Sequence, residues 1–170
     1  MRARQIGTVQ SDRERWDHKY GAGRGPAHFR PNHLLTSNRH LLNGGRALDV
    51  ACGFGGNGLY LASEGYQVDA IDASGVALAQ AQAEAARRCL TLHLVQADLA
   101  RWWVPPELYD LIAVFNYLNR GLEPVLAAGL RPGGLLFQAG RNRSFLAVRP
   151  EFDAAFLWQP GELLDLATGL

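Results

Sequence analysis

Lysine is almost missing from this 170-residue chain: Lys19 stands alone against sixteen arginines, a bias of coding rather than a sign of function. Cysteine is scarce as well. Cys52 and Cys89 form no CxxC pair, which excludes a disulfide framework and points to a reducing compartment. No apolar run approaches the roughly 18 residues of a membrane span. Met1-Arg2-Ala3-Arg4-Gln5 leads into no apolar stretch, so no signal peptide is expected. Together these absences predict a cytoplasmic protein without a membrane partner. The sequence lacks GxxxxGK[ST], HExxH and GxSxG, which removes P-loop phosphate chemistry, that class of zinc peptidase and the hydrolase nucleophile elbow. Its five histidines, at 18, 28, 33, 40 and 93, have no metal-ligand spacing, so no metal is expected.

What is present suits one soluble domain: 48% hydrophobic and 19% charged residues, with a net charge of +1. So small a net charge gives no bulk attraction to nucleic acid. The charge is uneven, however. Residues 1–46 hold nine basic residues against three acids, and the remainder eight against thirteen. A basic N-terminal region is either a solvated arm or a lip that attracts an anionic substrate.

The patterning changes near residue 46. Before it, residues 1–45 read as an N-terminal helical cap or arm. It has a short helix over Asp12 to Tyr20, with Trp16 and Tyr20 on one face, and another over Asn32 to Leu42. After it, strands and helices alternate over 46–170. Strands are predicted at 47–51, 67–71, 92–95, 110–115 and 135–139. Helices are predicted at 59–64, 74–90 and 121–130, with a last short one over 161–166. Ser74 is a good N-cap for the long Ala-rich helix. Arg131-Pro132-Gly133-Gly134 reads as a turn, and residues 140–160 as an irregular loop. The alternation predicts an α/β fold: a Rossmann-like, doubly wound and mostly parallel sheet of about five strands.

In such a sheet ligands bind beyond the carboxyl ends of the strands. Three strands here deliver Asp49 and a glycine loop, Asp72, and Asp98 to that edge. Gly53, Gly55 and Gly58 fit GxGxxG; glycines permit a tight turn and close approach of a ligand. Asp72, 19 residues past Gly53, can accept hydrogen bonds from ribose hydroxyls. That much suits an adenosine cofactor or NAD(P).

The motifs narrow the choice. Leu48-Asp49-Val50-Ala51-Cys52-Gly53-Phe54-Gly55 resembles the first motif of class I S-adenosylmethionine-dependent methyltransferases, in which an acid on the first strand precedes a Gly-x-Gly turn. Ile71-Asp72-Ala73-Ser74 is similar to that family's ribose-binding strand end, Gln96-Ala97-Asp98-Leu99 to its adenine segment, and Leu130 to Leu135 to the turn before its fifth strand. The subgroup that it most resembles is the small bacterial, tellurite-resistance (TehB-like) type. That likeness rests on Trp16 to Tyr20, Asp49 to Gly53, Phe115-Asn116-Tyr117-Leu118 and Gln159 to Leu164.

The resemblance implies S-adenosyl-L-methionine as cofactor and a small-molecule methyl acceptor. Gly53 and Gly55 would pass the methionine moiety and Asp49 would orient its amino group. Asp72 would hold the ribose and Ala73 would pack on adenine. Asp98 and the Leu99 N–H would meet the adenine edge, and Phe115 and Asn116 would line the sulfonium. Ala51 stands where many members have their first glycine. Trp16 and Tyr20 are candidates for a lid, and His18, His33 and Tyr117 for a general base. The family fold ends with an antiparallel strand pair that this sequence stops short of. The fifth strand is therefore expected to leave an exposed edge prone to self-association. Two other readings stay open: an NAD(P)-binding oxidoreductase, and a shortened cofactor-binding domain without activity.

Overall fold

The computed structural model describes residues 12–21 and 29–167. Five strands form one sheet: β1 (Gly45–Val50), β2 (Tyr66–Asp72), β3 (His93–Gln96), β4 (Tyr109–Phe115) and β5 (Leu130–Ala139). Their order is β3-β2-β1-β4-β5, and every pairing is parallel. The expected α/β class and strand number are observed. The order reverses between β1 and β4, which is where a doubly wound sheet opens a crevice.

Alternation along the strands explains the two cores. In β1, Ala47 faces one cluster while Leu48 and Val50 face the other. In β4, Leu111, Ala113 and Phe115 go to the first, and Ile112 and Val114 to the second. Helix α2 (His33–Ser37) contributes the fully buried Leu35 to the first cluster; α3 (Gly56–Ser63) adds Leu59 and Leu61, and α4 (Gly75–Arg87) adds Leu78 and Ala85. Helix α5 (Glu123–Gly129) covers the second with Leu126. Helix α1 (Asp12–Gly21) lies against α4, and α6 (Glu162–Ala167) is the last described element. Full burial of a leucine side chain stabilises by roughly 1.5–3 kcal/mol. Leu35 therefore ties part of the N-terminal region into the core.

Three expectations change in detail. The predicted helix over residues 32–42 is split into α2 and a 3-10 turn, Arg39–Leu41. Asn38 stands at the break and donates its side-chain amide to the Leu34 carbonyl at 2.8 Å. The turn at Arg131-Pro132-Gly133-Gly134 lies inside β5 as a bulge, because β5 pairs Leu130 with Tyr109 and then Leu135 with Leu111. Gly133 takes φ +79° there, and a Cβ on Gly134 would sit 2.9 Å from the Arg131 carbonyl oxygen. The segment 140–160 is less irregular than expected. It holds two 3-10 turns, Arg143–Ala147 and Ala154–Phe156, and a bridge between Asn142 and Trp158. Leu157 and Trp158 are buried in it.

Among the described residues β5 is an edge strand, no helix is long and apolar enough to cross a membrane, and no group of three His, Cys, Asp or Glu side chains is placed to hold a metal.

Candidate functional site

The carboxyl ends of the strands meet a cavity of about 990 Å³. That lies at the upper end of the roughly 300–1,000 Å³ common for small-molecule sites. Eight of the ten expected site residues line it: Ala51, Gly53, Asp72, Ala73, Asp98, Leu99, Phe115 and Asn116. Asp49 and Gly55 do not, and each has a supporting role beneath the surface.

The loop after β1 turns sharply. Ala51, Gly53 and Gly55 all have positive φ, at 54°, 53° and 74°. The chain is pinned there by Cys52 N–H to the Ile71 carbonyl at 3.0 Å and Gly55 N–H to the Cys52 carbonyl at 2.8 Å. Gly55 ends the turn as the N-cap of α3. A Cβ there would crowd the Ala81 Cβ at 3.0 Å, and the positive φ itself favours glycine. Asp49 is fully buried below this turn and accepts the Gly58 N–H at 2.8 Å. Gly58 is itself close-packed on the carboxylate: a Cβ would meet Asp49 Oδ2 at 3.2 Å. The other oxygen, Asp49 Oδ1, has no hydrogen-bond partner among the described residues. Burial raises the Asp49 pKa to about 7; the Gly58 N–H and the Asn57 side chain favour the ionised form and offset only part of this.

Asp72 closes β2 and stands at the centre of the site. It accepts the Gly53 N–H on Oδ2 at 2.8 Å and the Ser74 N–H on Oδ1 at 2.9 Å. One carboxylate thus joins the glycine turn to the start of α4. It is 5% exposed, and burial raises its pKa despite those two N–H groups. A carboxylate has about four acceptor sites, so Asp72 retains acceptor capacity where it lines the cavity. Ala73 follows, its carbonyl held by the Gln96 side-chain amide at 3.0 Å. Asp98 is exposed and accepts the Ala100 N–H at 3.0 Å; Leu99 is buried next to it. On the far side Phe115 ends β4. Asn116 takes φ +57° and donates its N–H to the Ala139 carbonyl at 2.9 Å.

Helix α1 covers the cavity from the N-terminal side. Trp16 and Tyr20 stack with ring centroids 5.6 Å apart, and Tyr20 meets Phe54 edge-on at 4.8 Å. A Cβ on Gly53 would lie 3.0 Å from the Tyr20 hydroxyl, so the glycine allows this helix to come down. The anchor is Asp17, which sequence reading did not single out. It accepts from Ser74 Oγ at 2.5 Å and from the Val76 N–H at 3.2 Å. The bond from Ser74 lowers the Asp17 pKa, with the Val76 N–H second. The only local signal was its place between Trp16 and the basic His18-Lys19 pair, which does not reveal a partner 57 residues away.

Of the three candidate bases, Tyr117 alone lines the cavity. His33 is exposed on α2 and its ring bonds the Ser37 hydroxyl at about 3.0 Å. His18 is exposed on α1. Residues of the 140–160 segment, Arg141, Phe152 and Phe156, line the cavity too, and sequence reading had not placed them there.

A parallel sheet with a glycine turn after β1, an acid ending β2 and an exposed acid after β3 defines a domain of Rossmann-like type. The unpartnered Asp49 oxygen beneath the turn, the Asp72 carboxylate in the lining and the glycine-floored cavity fit S-adenosyl-L-methionine, whose amino group, ribose and sulfonium suit a nearby negative charge, an acceptor and a close backbone.

Comparison with known proteins fixes the family. Residues 47–134, just over half the chain, match the methyltransferase domain. The chain belongs to that family, and its cofactor is S-adenosyl-L-methionine. A curated relative, Hemagglutinin 1 of Eikenella corrodens, is 36% identical over 96 residues; the match spans 52% of this chain and 32% of that protein. An S-adenosylmethionine-dependent methyltransferase from Mesorhizobium loti is 27% identical, with a TM-score of 0.52 over 62% of this chain and 52% of that one. The fold also resembles that of a Haemonchus contortus phosphoethanolamine N-methyltransferase, at 21% identity and a TM-score of 0.62, over 82% of this chain and 37% of that one. The chain thus spans about a third to a half of the length of these proteins. Family membership decides against the NAD(P) reading of the glycine motif.

Proposed function

We propose that this chain transfers a methyl group from S-adenosyl-L-methionine to a small-molecule acceptor. The observation that carries this reading is Asp72, which ends β2 beside the cavity while fixing both the glycine turn and the start of α4. When bound, the cofactor supplies an already activated methyl group, so the protein's part is chiefly alignment and exclusion of water.

Asp72 accepts the ribose hydroxyls in this reading. Asp49, one layer below the cavity, attracts the positive amino group by its charge, through the turn or a water, and becomes ionised when the cofactor is bound. Ala73 and Leu99 hold the adenine between them, and Asp98 accepts from its amino group. Phe115 and Asn116 set the wall at the reacting end, where the left-handed backbone at Asn116 turns the chain across the cavity mouth. Tyr117 is the one candidate base on that wall; its phenol serves an oxygen or nitrogen nucleophile, whereas a soft anion or thiolate needs none. Trp16 and Tyr20 close the other side and keep water out.

The reading extends to place and partners. The chain works in the cytoplasm, and its β5 edge pairs with a second copy, which sizing chromatography checks directly. The test of function is calorimetry with S-adenosylhomocysteine. Binding that Asp72→Ala abolishes supports the assignment, and unchanged binding in that variant removes it.

A further inference from the structure

The cavity is lined by more basic than acidic side chains. Its charged lining residues are Arg15, Lys19, Arg30, Arg120 and Arg141 against Asp72 and Asp98. Both acids belong to the ends of β2 and β3, where the cofactor's nucleoside lies in the reading above. The ends of β4 and β5 have two arginines and no carboxylate in the lining.

Those arginines differ in their engagement. Arg120 is committed to structure. It forms a two-pronged ion pair with Glu162, and its guanidinium also donates to the carbonyls of Ala155 and Leu157, at 3.3 and 3.2 Å. It thereby fastens the 140–160 segment over the cavity. Arg141 has no ion pair among the described residues. Its guanidinium carbon lies 4.8 Å from the centre of the Phe145 ring and 6.0 Å from that of Phe152. Stacking on a ring face holds the plane of a guanidinium and leaves its edge N–H groups free. Arg141 lines the main cavity and also an annex of about 20 Å³ shared with Tyr117 and Phe152. Phe156, at the same rim, is half exposed. Arg141 is exposed, and the two aromatic rings hold it at the mouth of the cavity.

We propose that the acceptor is a small molecule with an oxyanion, a carboxylate or a phosphate, on a flat apolar body. Arg141 grips the oxyanion with its paired N–H edge, and Phe152, Phe156 and Tyr117 cover the body. The inference rests on the methyl-transfer reading. It supplies a use for Arg141, which the cofactor does not need.

Binding tests it without turnover. The protein is saturated with S-adenosylhomocysteine and titrated with benzoate, phenyl phosphate and neutral benzamide. Benzoate or phenyl phosphate should bind at least about tenfold more tightly than benzamide, in line with one charge-assisted hydrogen bond or more. Whichever anion is preferred identifies the oxyanion class. That preference should weaken as salt is raised, should vanish in Arg141→Gln, should survive in part in Arg141→Lys, and should be unchanged in Arg143→Gln, a nearby exposed arginine outside the cavity lining. Equal binding of the three probes, no binding of any of them, or a preference that persists in Arg141→Gln would overturn the proposal while leaving cofactor binding standing. Failure of S-adenosylhomocysteine itself to bind would remove the methyl-transfer reading and this inference with it.

Discussion

The carboxylate of Asp17 on α1 accepts a 2.5 Å hydrogen bond from the hydroxyl of Ser74, the N-cap of α4. Ser74 Oγ in turn accepts the Ala77 N–H at 3.1 Å, while the Ser74 N–H goes to Asp72. One serine therefore connects the cover of the cavity to the acid at its centre. A negative group at the start of α4 is also favoured by that helix's exposed N–H groups. Asp17→Ala is expected to release α1, leaving the sheet intact. Hydrogen exchange in α1 should speed up, exchange in β1 and β4 should not change, and affinity for S-adenosylhomocysteine should fall several-fold. Unaltered exchange in α1 would mean that Trp16 and Tyr20 hold the helix without the latch.

Asp49 gives stability a pH dependence. Its folded pKa is about 7 against an ordinary 3.8, so the folded chain binds this proton more tightly than the unfolded one. The associated stability is complete below about pH 3.8 and is lost as pH rises through about 7, on the order of a few kcal/mol. Asp49→Asn should flatten that part of the stability curve. A positive amino group bound in the cavity above Asp49 favours its ionisation, so affinity for S-adenosylhomocysteine should rise over the same window in the wild type and stay flat in Asp49→Asn. Denaturant unfolding and calorimetry between pH 5 and 8, roughly the window of the shifted group, would read both.

Ala51 is a non-glycine residue at φ +54° in the loop after β1. Left-handed backbone costs an L-residue roughly 1–2 kcal/mol, offset in part by the chain entropy a glycine loses. Ala51→Gly is expected to stabilise by up to about 1 kcal/mol and raise Tm by about 2–4 °C. A lower Tm would show that the methyl group's packing on the second core cluster outweighs the backbone strain.

Much of this arrangement was legible in the sequence because it follows from local rules. The β–α alternation, the Ser74 cap and the acids at the strand ends each depend on residues within a few positions, and the parallel sheet then gathers Asp72, Asp98 and the glycine turn at one edge. What was missed depends on contacts distant in sequence. Asp17 meets Ser74 only after α1 folds back onto α4. Arg141, Phe152 and Phe156 reach the cavity because Arg120 and Glu162 fasten a segment that shows no periodicity. Asp49 was expected to orient the cofactor's amino group directly or through water, and Gly55 to let the backbone pass the methionine moiety. Close packing at Ala81 and Gly58, which local pattern does not reveal, sets both one layer below the cavity.

The measurement that tests the account most directly is thermal unfolding with S-adenosylhomocysteine or NAD, on the wild type and on Asp72→Ala. At 100 times its dissociation constant a ligand adds about 2.7 kcal/mol, which corresponds to a rise in Tm of several degrees. The account predicts that rise with S-adenosylhomocysteine alone, and its loss in Asp72→Ala, where charge-assisted hydrogen bonds of roughly 1.5–3 kcal/mol each are removed. A rise with NAD and none with S-adenosylhomocysteine, or an equal rise in Asp72→Ala, would contradict it.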